Sequence, residues 1–343
     1  MSLEYLRENC SPRPYTVTVA IPVSIISQIQ TRELKTFFVG QIARCLAIHK
    51  VDEIVIYADG VVDESPLELD ANPCLFLARL LQYVETPSYL RKSLFPMHAD
   101  FRFAGLLSPM DAPHHMKRDD ISLYREGVVS EKTSSEGSLV NVGLRSEVVI
   151  DRFLKPGVRT TVQLDQPTRS GGSSSSRGHG QAIRGTPVSP NTPRETYGIY
   201  WGYQTRVAKS LGEVFSSCPY FDNDGGYDLF VGHSEKNGSS ALAEAEGDPS
   251  DPSFTPFSLP SFRHMLVVFG GNGGIEAAVD ADERLNTAGR DADTLFDLYL
   301  RIQGDQGPMA GSRTLRGEEA LSLMLTKLSP YVNRNTAPPS TVG

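Results

Sequence analysis

Cysteine is scarce in this chain of 343 residues: four are present, Cys10, Cys45, Cys74 and Cys218. No two of them form a CxxC pair, which removes zinc-ribbon and dithiol redox chemistry. Cys45 and Cys74 fall inside helical patterns and read as buried thiols. No HExxH, Walker A or nucleophile-elbow motif occurs, so the common zinc-protease, P-loop and α/β-hydrolase chemistries have no carrier. No GxGxxG follows the first apolar run, which disfavours a dinucleotide-binding fold. No apolar stretch reaches the length of a membrane span. The opening residues carry acids at Glu4 and Glu8 and no apolar core, so a signal peptide is not expected. Positive charge is not in excess either: the formal net charge is −8, against a protein that coats nucleic acid by bulk charge. A soluble intracellular protein is the default expectation, without a membrane or a metal. No lysine-rich tail marks a nuclear address.

What is present is enough apolar residue, 39%, to bury one sizeable core or two. Residues 15–23, YTVTVAIPV, are β-branched and predict a first strand. Thr31 is placed to cap a helix running to about His49, with Leu34, Phe37, Phe38, Ile42, Cys45 and Leu46 at helical spacing. Ile54–Tyr57 predicts a second buried strand. Asn72 before Pro73 is a helix start, and that helix must stop near Pro87. Strand, helix, strand, helix in this order predicts a parallel sheet.

The pattern then changes. Residues 105–117, GLLSPMDAPHHMK, predict an irregular loop. Short β-like runs follow at Tyr124–Val129, Ser138–Gly143, Glu147–Ile150 and Val158–Leu164, the mark of a small inserted β-barrel. Residues 166–194 are so rich in Ser, Gly, Pro and Thr that disorder is expected. Order returns near Tyr197 with a helix expected through Phe215. A short strand at Tyr227–Val231 and a second polar loop over 235–258 come next. Two apolar runs, Met265–Phe269 and Leu295–Leu300, then each end in a glycine-bearing loop before a helical pattern. Ligands of open α/β sheets bind beyond the carboxyl ends of such strands, so residues 261–328 are where a small-molecule site is expected.

The segments RPYTVTVAIPVSI, VGQIARCLAIHKVDEIVIY, FAGLLSPMDAPHHM, YREGVV, GIYWGYQTRVAKSL, YDLFVGHSE, RHMLVVFGG and GSRTLRGEEA together resemble the SPOUT superfamily of RNA methyltransferases. The closer likeness is to its eukaryotic and archaeal branch with an inserted OB-like barrel, and it covers most of residues 13–328. The resemblance implies an α/β fold: a SPOUT-type parallel sheet with a C-terminal trefoil knot, plus the small barrel. The implied domains are 13–118 for the N-terminal part, 121–196 for the barrel and 197–332 for the knotted part. It implies an S-adenosylmethionine-dependent methyltransferase acting on RNA at a base or a ribose, working as a homodimer in the nucleus or nucleolus. A non-catalytic RNA-binding or scaffold protein retaining the fold is the alternative.

By the same resemblance the cofactor lies on backbone groups of three loops. Their residues here are Gly232, His233 and Ser234; Phe269, Gly270, Gly271 and Gly274; and Ile302, Gln303, Gly311, Ser312 and Thr314. Arg44 matches the arginine of a G-x-x-x-R motif thought to engage the acceptor, and is the catalytic candidate. Phe38 stands where that motif carries asparagine. Arg313, His114 and His115 are candidate substrate contacts. Read on their own, Ser312 and Thr314 equally suit helix caps, and His114 and His115, without further ligands at suitable spacing, make a poor metal site. Trp201 suits burial at the barrel junction better than stacking on a base.

Overall fold

The computed structural model describes residues 8, 10–60, 72–166, 183–221, 225–244, 257–302 and 315–336. It divides into two compact units. One comprises Met1–Pro14, Tyr83–His98 and Met110–Gly202, the other Tyr15–Gln82, Ala99–Pro109 and Tyr203–Gly343.

The second unit is built on strands β1 (Thr16–Pro22) and β2 (Glu53–Tyr57), with helix α1 (Arg32–Ile48) between them and α2 (Pro73–Glu85) after them. Every residue of β1 and β2 is buried, as expected for strands covered on both faces. Thr31 caps α1 by accepting the Leu34 amide at 3.2 Å, and Asn72 accepts the Cys74 amide at 2.9 Å to start α2. Thr31→Ala should therefore cost about 1 kcal/mol, read as a lower denaturant midpoint at unchanged slope.

One part of the α1 expectation is corrected. Leu34 and Phe37 are 56% and 48% exposed, and the buried face is Thr36, Val39, Gly40, Ile42, Ala43 and Leu46. Apolar residues surround this helix, so the period alone did not select the inward face. Gly40 is buried because the chain at Leu107 and Ser108 crosses it; a Cβ there would lie 3.0 Å from the Ser108 amide nitrogen.

The first unit holds a closed barrel of β3 (Tyr124–Thr133), β4 (Ser138–Asn141), β5 (Val148–Ile150), β6 (Arg159–Leu164) and β7 (Ile183–Val188), in the order β3-β4-β5-β7-β6. β3 closes on β6, and β5 pairs with β7 in parallel while the other pairs are antiparallel. Its core is Val129, Val140, Val142, Val148, Ile150 and Val162. The fifth strand corrects the expectation of disorder over 166–194. Residues 167–182 lie outside the described ones, but 183–188 are a barrel strand followed by helix α4 (Thr192–Tyr197), with α3 (Ser88–Leu94) preceding the barrel in sequence. Gly185 makes the pairing possible, since a Cβ there would lie 2.6 Å from the Gln163 carbonyl oxygen.

Buried charge organises this unit. Glu85 accepts from Arg159 at 2.7 and 3.0 Å. Glu126 accepts from Arg159 at 2.6 Å, from the Trp201 indole at 2.6 Å and from the Thr161 hydroxyl. Trp201 is buried, as the preferred reading had it. Arg125 is fully buried and donates to the carbonyls of Lys117 and Asp120.

The sheet-bearing unit is completed by β8 (Gln204–Ala208), α5 (Leu211–Ser216), β9 (Leu229–His233), β10 (His264–Phe269), α6 (Gly274–Asp280), β11 (Leu298–Leu300) and α7 (Gly317–Val332). The helix expected from Tyr197 to Phe215 is thus a strand and a short helix. β8 was missed because it is a polar edge strand, whose Arg206 reaches buried Glu53 at 2.9 Å. Leu295 and Phe296 precede β11 rather than opening it, since Gly289–Leu295 is a 3-10 turn. The six strands are all parallel in the order β11-β9-β10-β1-β2-β8. Residues 303–314, where the expected knot would be threaded, lie outside the described residues.

Candidate functional site

Six parallel strands end at one edge of the sheet, and the crevice beyond such an edge is where α/β proteins bind ligands. Register brings the expected residues together there. Gly232 pairs with Val268, His233 with Phe269, and Leu300 with His233. Gly232, His233, Ser234, Phe269, Gly270, Gly271, Gly274 and Ile302 therefore cluster on neighbouring strand ends. Gln303, Gly311, Ser312, Arg313 and Thr314 lie outside the described residues.

The β9 loop is bound to the end of β11 by main-chain hydrogen bonds: Ser234 N to Leu300 O at 3.0 Å, Ser239 N to Tyr299 O at 2.8 Å, and Arg301 N to Ser239 O at 2.9 Å. Side chains finish the framework. Glu235 accepts from the His233 ring at 2.9 Å and from the Ile302 amide at 3.1 Å. Glu276, in the first turn of α6, gathers Ser234, Asn237 and Tyr299 on one carboxylate oxygen at 2.7–2.9 Å. Burial pushes this carboxyl up, but those donors outweigh it and hold Glu276 below the usual carboxylate range. The Tyr299 hydroxyl moves up, first through burial.

Glycine is required at particular points of this edge. A Cβ at Gly232 would lie 2.7 Å from the Tyr299 ring. One at Gly270 would overlap the backbone of Gly274 and Ile275, and one at Gly271 would overlap Ser24 and Asp59. Gly274 sits at φ +83°, in the left-handed region. The result is a rim of main-chain donors and acceptors with little side chain in the way, suited to a flat heterocycle and a polar tail.

On the other side of β10, Tyr57 donates to the Phe269 carbonyl at 2.6 Å. Ser24, after β1, donates to Asp59, after β2. Sequence reasoning passed over Ser24, Asp59, Glu276 and Tyr299, because each is a polar residue whose partner lies far along the chain.

Arg44 lies elsewhere within this chain. The end of α1 returns to the start of the strands, through Val51 N to Leu46 O and Asp52 N to Val17 O. Arg44, about 6 Å of helix before that end, donates to the Pro109 carbonyl at 2.5 Å. It is therefore toward the edge opposite the glycine loops.

His114 and His115 belong to the barrel-bearing unit. The His114 ring, an expected substrate contact, is fully buried, 2.9 Å from both the Glu85 carboxylate and the Glu85 carbonyl. His115 reaches the same carbonyl at 2.5 Å. Among the described residues no group of three or more His, Cys, Asp or Glu could hold a metal ion. No helix among them is long and apolar enough to cross a membrane.

The fold is thus an α/β protein with a parallel sheet, a glycine-lined sheet edge and a separate closed barrel. Residues 16–328 match the family described as "Putative RNA methyltransferase", and the chain belongs to it. The chain is 44% identical to the 28S rRNA (uridine-N(3))-methyltransferase of Mus musculus over 93% of its own length and 77% of the relative's. The protein of the same name from Homo sapiens is 43% identical, with 93% and 79% covered. That from Drosophila melanogaster is 38% identical, with 94% and 64% covered. The chain is an enzyme that transfers methyl groups to RNA.

Proposed function

We propose that the methyl donor is S-adenosylmethionine, that the acceptor is N3 of a uridine in large-subunit ribosomal RNA, and that the enzyme acts as a SPOUT-type homodimer in the nucleolus. The observation carrying this reading is the convergence of Gly232, Gly270 and Ile302 on adjacent strand ends, in a chain 38–44% identical to relatives named for that reaction. S-adenosylmethionine supplies an electrophilic methyl group on a sulfonium. The chain would hold it with main-chain groups of Gly232–Ser234, Phe269–Gly274 and Ile302, together with residues 303–314, and Glu276 keeps the first two loops in place.

The barrel order supports an OB-like module. Numbered along the chain, its strands run 1-2-3-5-4 and close 4 on 1, the arrangement of oligonucleotide-binding barrels. Leu34, Phe37 and Ile48 on α1 and Leu323 on α7 are 42–67% exposed, and α1 and α7 lie side by side, with Thr326 beside His49. This apolar surface supports self-association. In a dimer joined there, Arg44 of one copy would serve the glycine edge of the other, its planar guanidinium positioning a phosphate or ribose.

Titration calorimetry with S-adenosylmethionine, followed by methyl transfer to ribosomal RNA from cells lacking the modification, tests the reading. Cofactor binding and appearance of 3-methyluridine are expected. Arg44→Ala should keep cofactor affinity and lose roughly 100-fold in turnover, as when one charge-stabilising group is removed from an active site. Absence of cofactor binding would sink the proposal.

A further inference from the structure

The sheet edge holds a carboxylate that the cofactor framework does not use. Asp59 is 3% exposed. One of its oxygens accepts from Ser24, itself fully buried. The other, Oδ1, is buried without a hydrogen-bond partner among the described residues. Burying a carboxylate with half its acceptor capacity unmet is costly, and groups kept in that condition are candidates for contact with a ligand.

Its surroundings say where that ligand lies. Asp59 follows β2, Ser24 follows β1, and Gly271 follows β10, three neighbouring strands. The turn against the carboxylate is Gly270, Gly271, Asn272, Gly273 and Gly274, so four of its five residues have no side chain. Tyr57, which could have met the acid, is engaged by the Phe269 carbonyl instead.

The reaction proposed above needs such a group. A uracil N3–H is a weak acid, and its nitrogen becomes an effective nucleophile only as the proton leaves. Glu276 already holds three donors and is a poor base, and Glu235 is taken by His233 and the Ile302 amide. Asp59 Oδ1 and Glu276 Oε2 are both buried without a hydrogen-bond partner among the described residues. Glu276 carries three donors on its other oxygen whereas Asp59 carries the Ser24 hydroxyl, so Asp59 is the less stabilised anion and the better base.

We infer that Asp59 Oδ1 receives the N3 proton of the acceptor uridine, with Ser24 fixing the carboxylate's orientation. The inference rests on the uridine reading. The N–H bond breaks as an O–H bond forms on Asp59. The nitrogen electron pair forms the new N–CH3 bond, and the pair of the broken S–CH3 bond stays on sulfur as a neutral thioether. Asp59 is then a catalytic residue, and Ser24 a positioning residue.

The test is Asp59→Asn in the full-length chain, with three measurements. The amide removes an uncompensated buried charge, so the melting temperature should rise by a few degrees, as when a strained active-site group is neutralised. Affinity for S-adenosylmethionine by calorimetry should stay within about threefold. Turnover on ribosomal RNA should fall by at least about 100-fold, the scale of a lost general base. A variant with a lowered melting temperature and cofactor affinity lost in step with activity would assign Asp59 to structure and overturn the inference. So would wild-type turnover in Asp59→Asn. A wild-type chain that binds cofactor but makes no 3-methyluridine would end the uridine reading, and this inference with it, which the variant result alone cannot do.

Discussion

Replacing Arg159 with methionine will lower the melting temperature of the barrel-bearing unit by roughly 10 °C, at 2–4 °C per kcal/mol for a chain of this size. The guanidinium satisfies two buried carboxylates, Glu85 at 2.7 Å and Glu126 at 2.6 Å, and these residues are 5% and 2% exposed. Removing one partner of a buried ionic group typically costs 3–5 kcal/mol, because the charges left behind stay buried without compensation. Adding Glu85→Gln and Glu126→Gln to Arg159→Met should restore most of the loss, since the amides still accept from Thr161, Trp201 and His114. Scanning calorimetry of the single and triple variants measures both. A single variant as stable as wild type would show that the carboxylates do not depend on Arg159.

The same network sets an acid limit. Burial pushes the Glu85 carboxyl up, but the Arg159 charge and the His114 and Arg159 hydrogen bonds outweigh it and bring the group down to about 2, from an ordinary 4.5. A depressed carboxylate contributes fully above its unfolded value and loses that contribution as pH falls toward 2. His115 is pushed down to about 4 from 6.5, first by burial and then by the neighbouring His114. The unfolded chain therefore takes up a proton there earlier, and stability begins to fall below about 6.5. In Arg159→Met the part of this slope between 4.5 and 2 should flatten.

Little of that network could be read from the sequence. Glu85 and Arg159 stand 74 residues apart, and nothing in YVETPS or GVRTT marks either as buried. The central strands were legible because a strand covered on both faces must be apolar along its whole length, as in Met265–Phe269. The edge strand β8 was not, since one side of it carries no neighbour and Gln204, Thr205 and Arg206 look like loop. β7 was hidden by composition: Gly185 and Pro187 belong to a paired strand, yet they stand beside a serine- and glycine-rich run. In the site, the glycines were visible because close backbone approach demands that residue type. Asp59 and Glu276 were not, because a carboxylate's role depends on which donors the fold brings to it. Here those are Ser24, 35 residues away, and Ser234 and Tyr299, 42 and 23 residues away.

Gly270→Ala should abolish detectable cofactor binding and reduce methyl transfer by roughly two orders of magnitude, the scale of a 1 Å displacement of positioning groups. The added Cβ would meet Gly274 and Ile275, and the atoms it meets are backbone, which cannot rotate aside. Either the turn after β10 opens or α6 shifts at its first residues. α6 carries Glu276, so its displacement pulls on Ser234, Asn237 and Tyr299 and disturbs the β9 and β11 loops as well. Overpacking of this kind also costs about 1–3 kcal/mol of stability, so binding must be measured well below the variant's melting temperature. Gly105→Ala is the control. Its Cβ meets nothing within 4 Å and its φ is not in the left-handed region, so folding, cofactor binding and turnover should match wild type. If Gly270→Ala binds cofactor as tightly as Gly105→Ala does, the turn after β10 is not part of the cofactor cradle. The glycines there would then serve only the packing of α6 against the sheet.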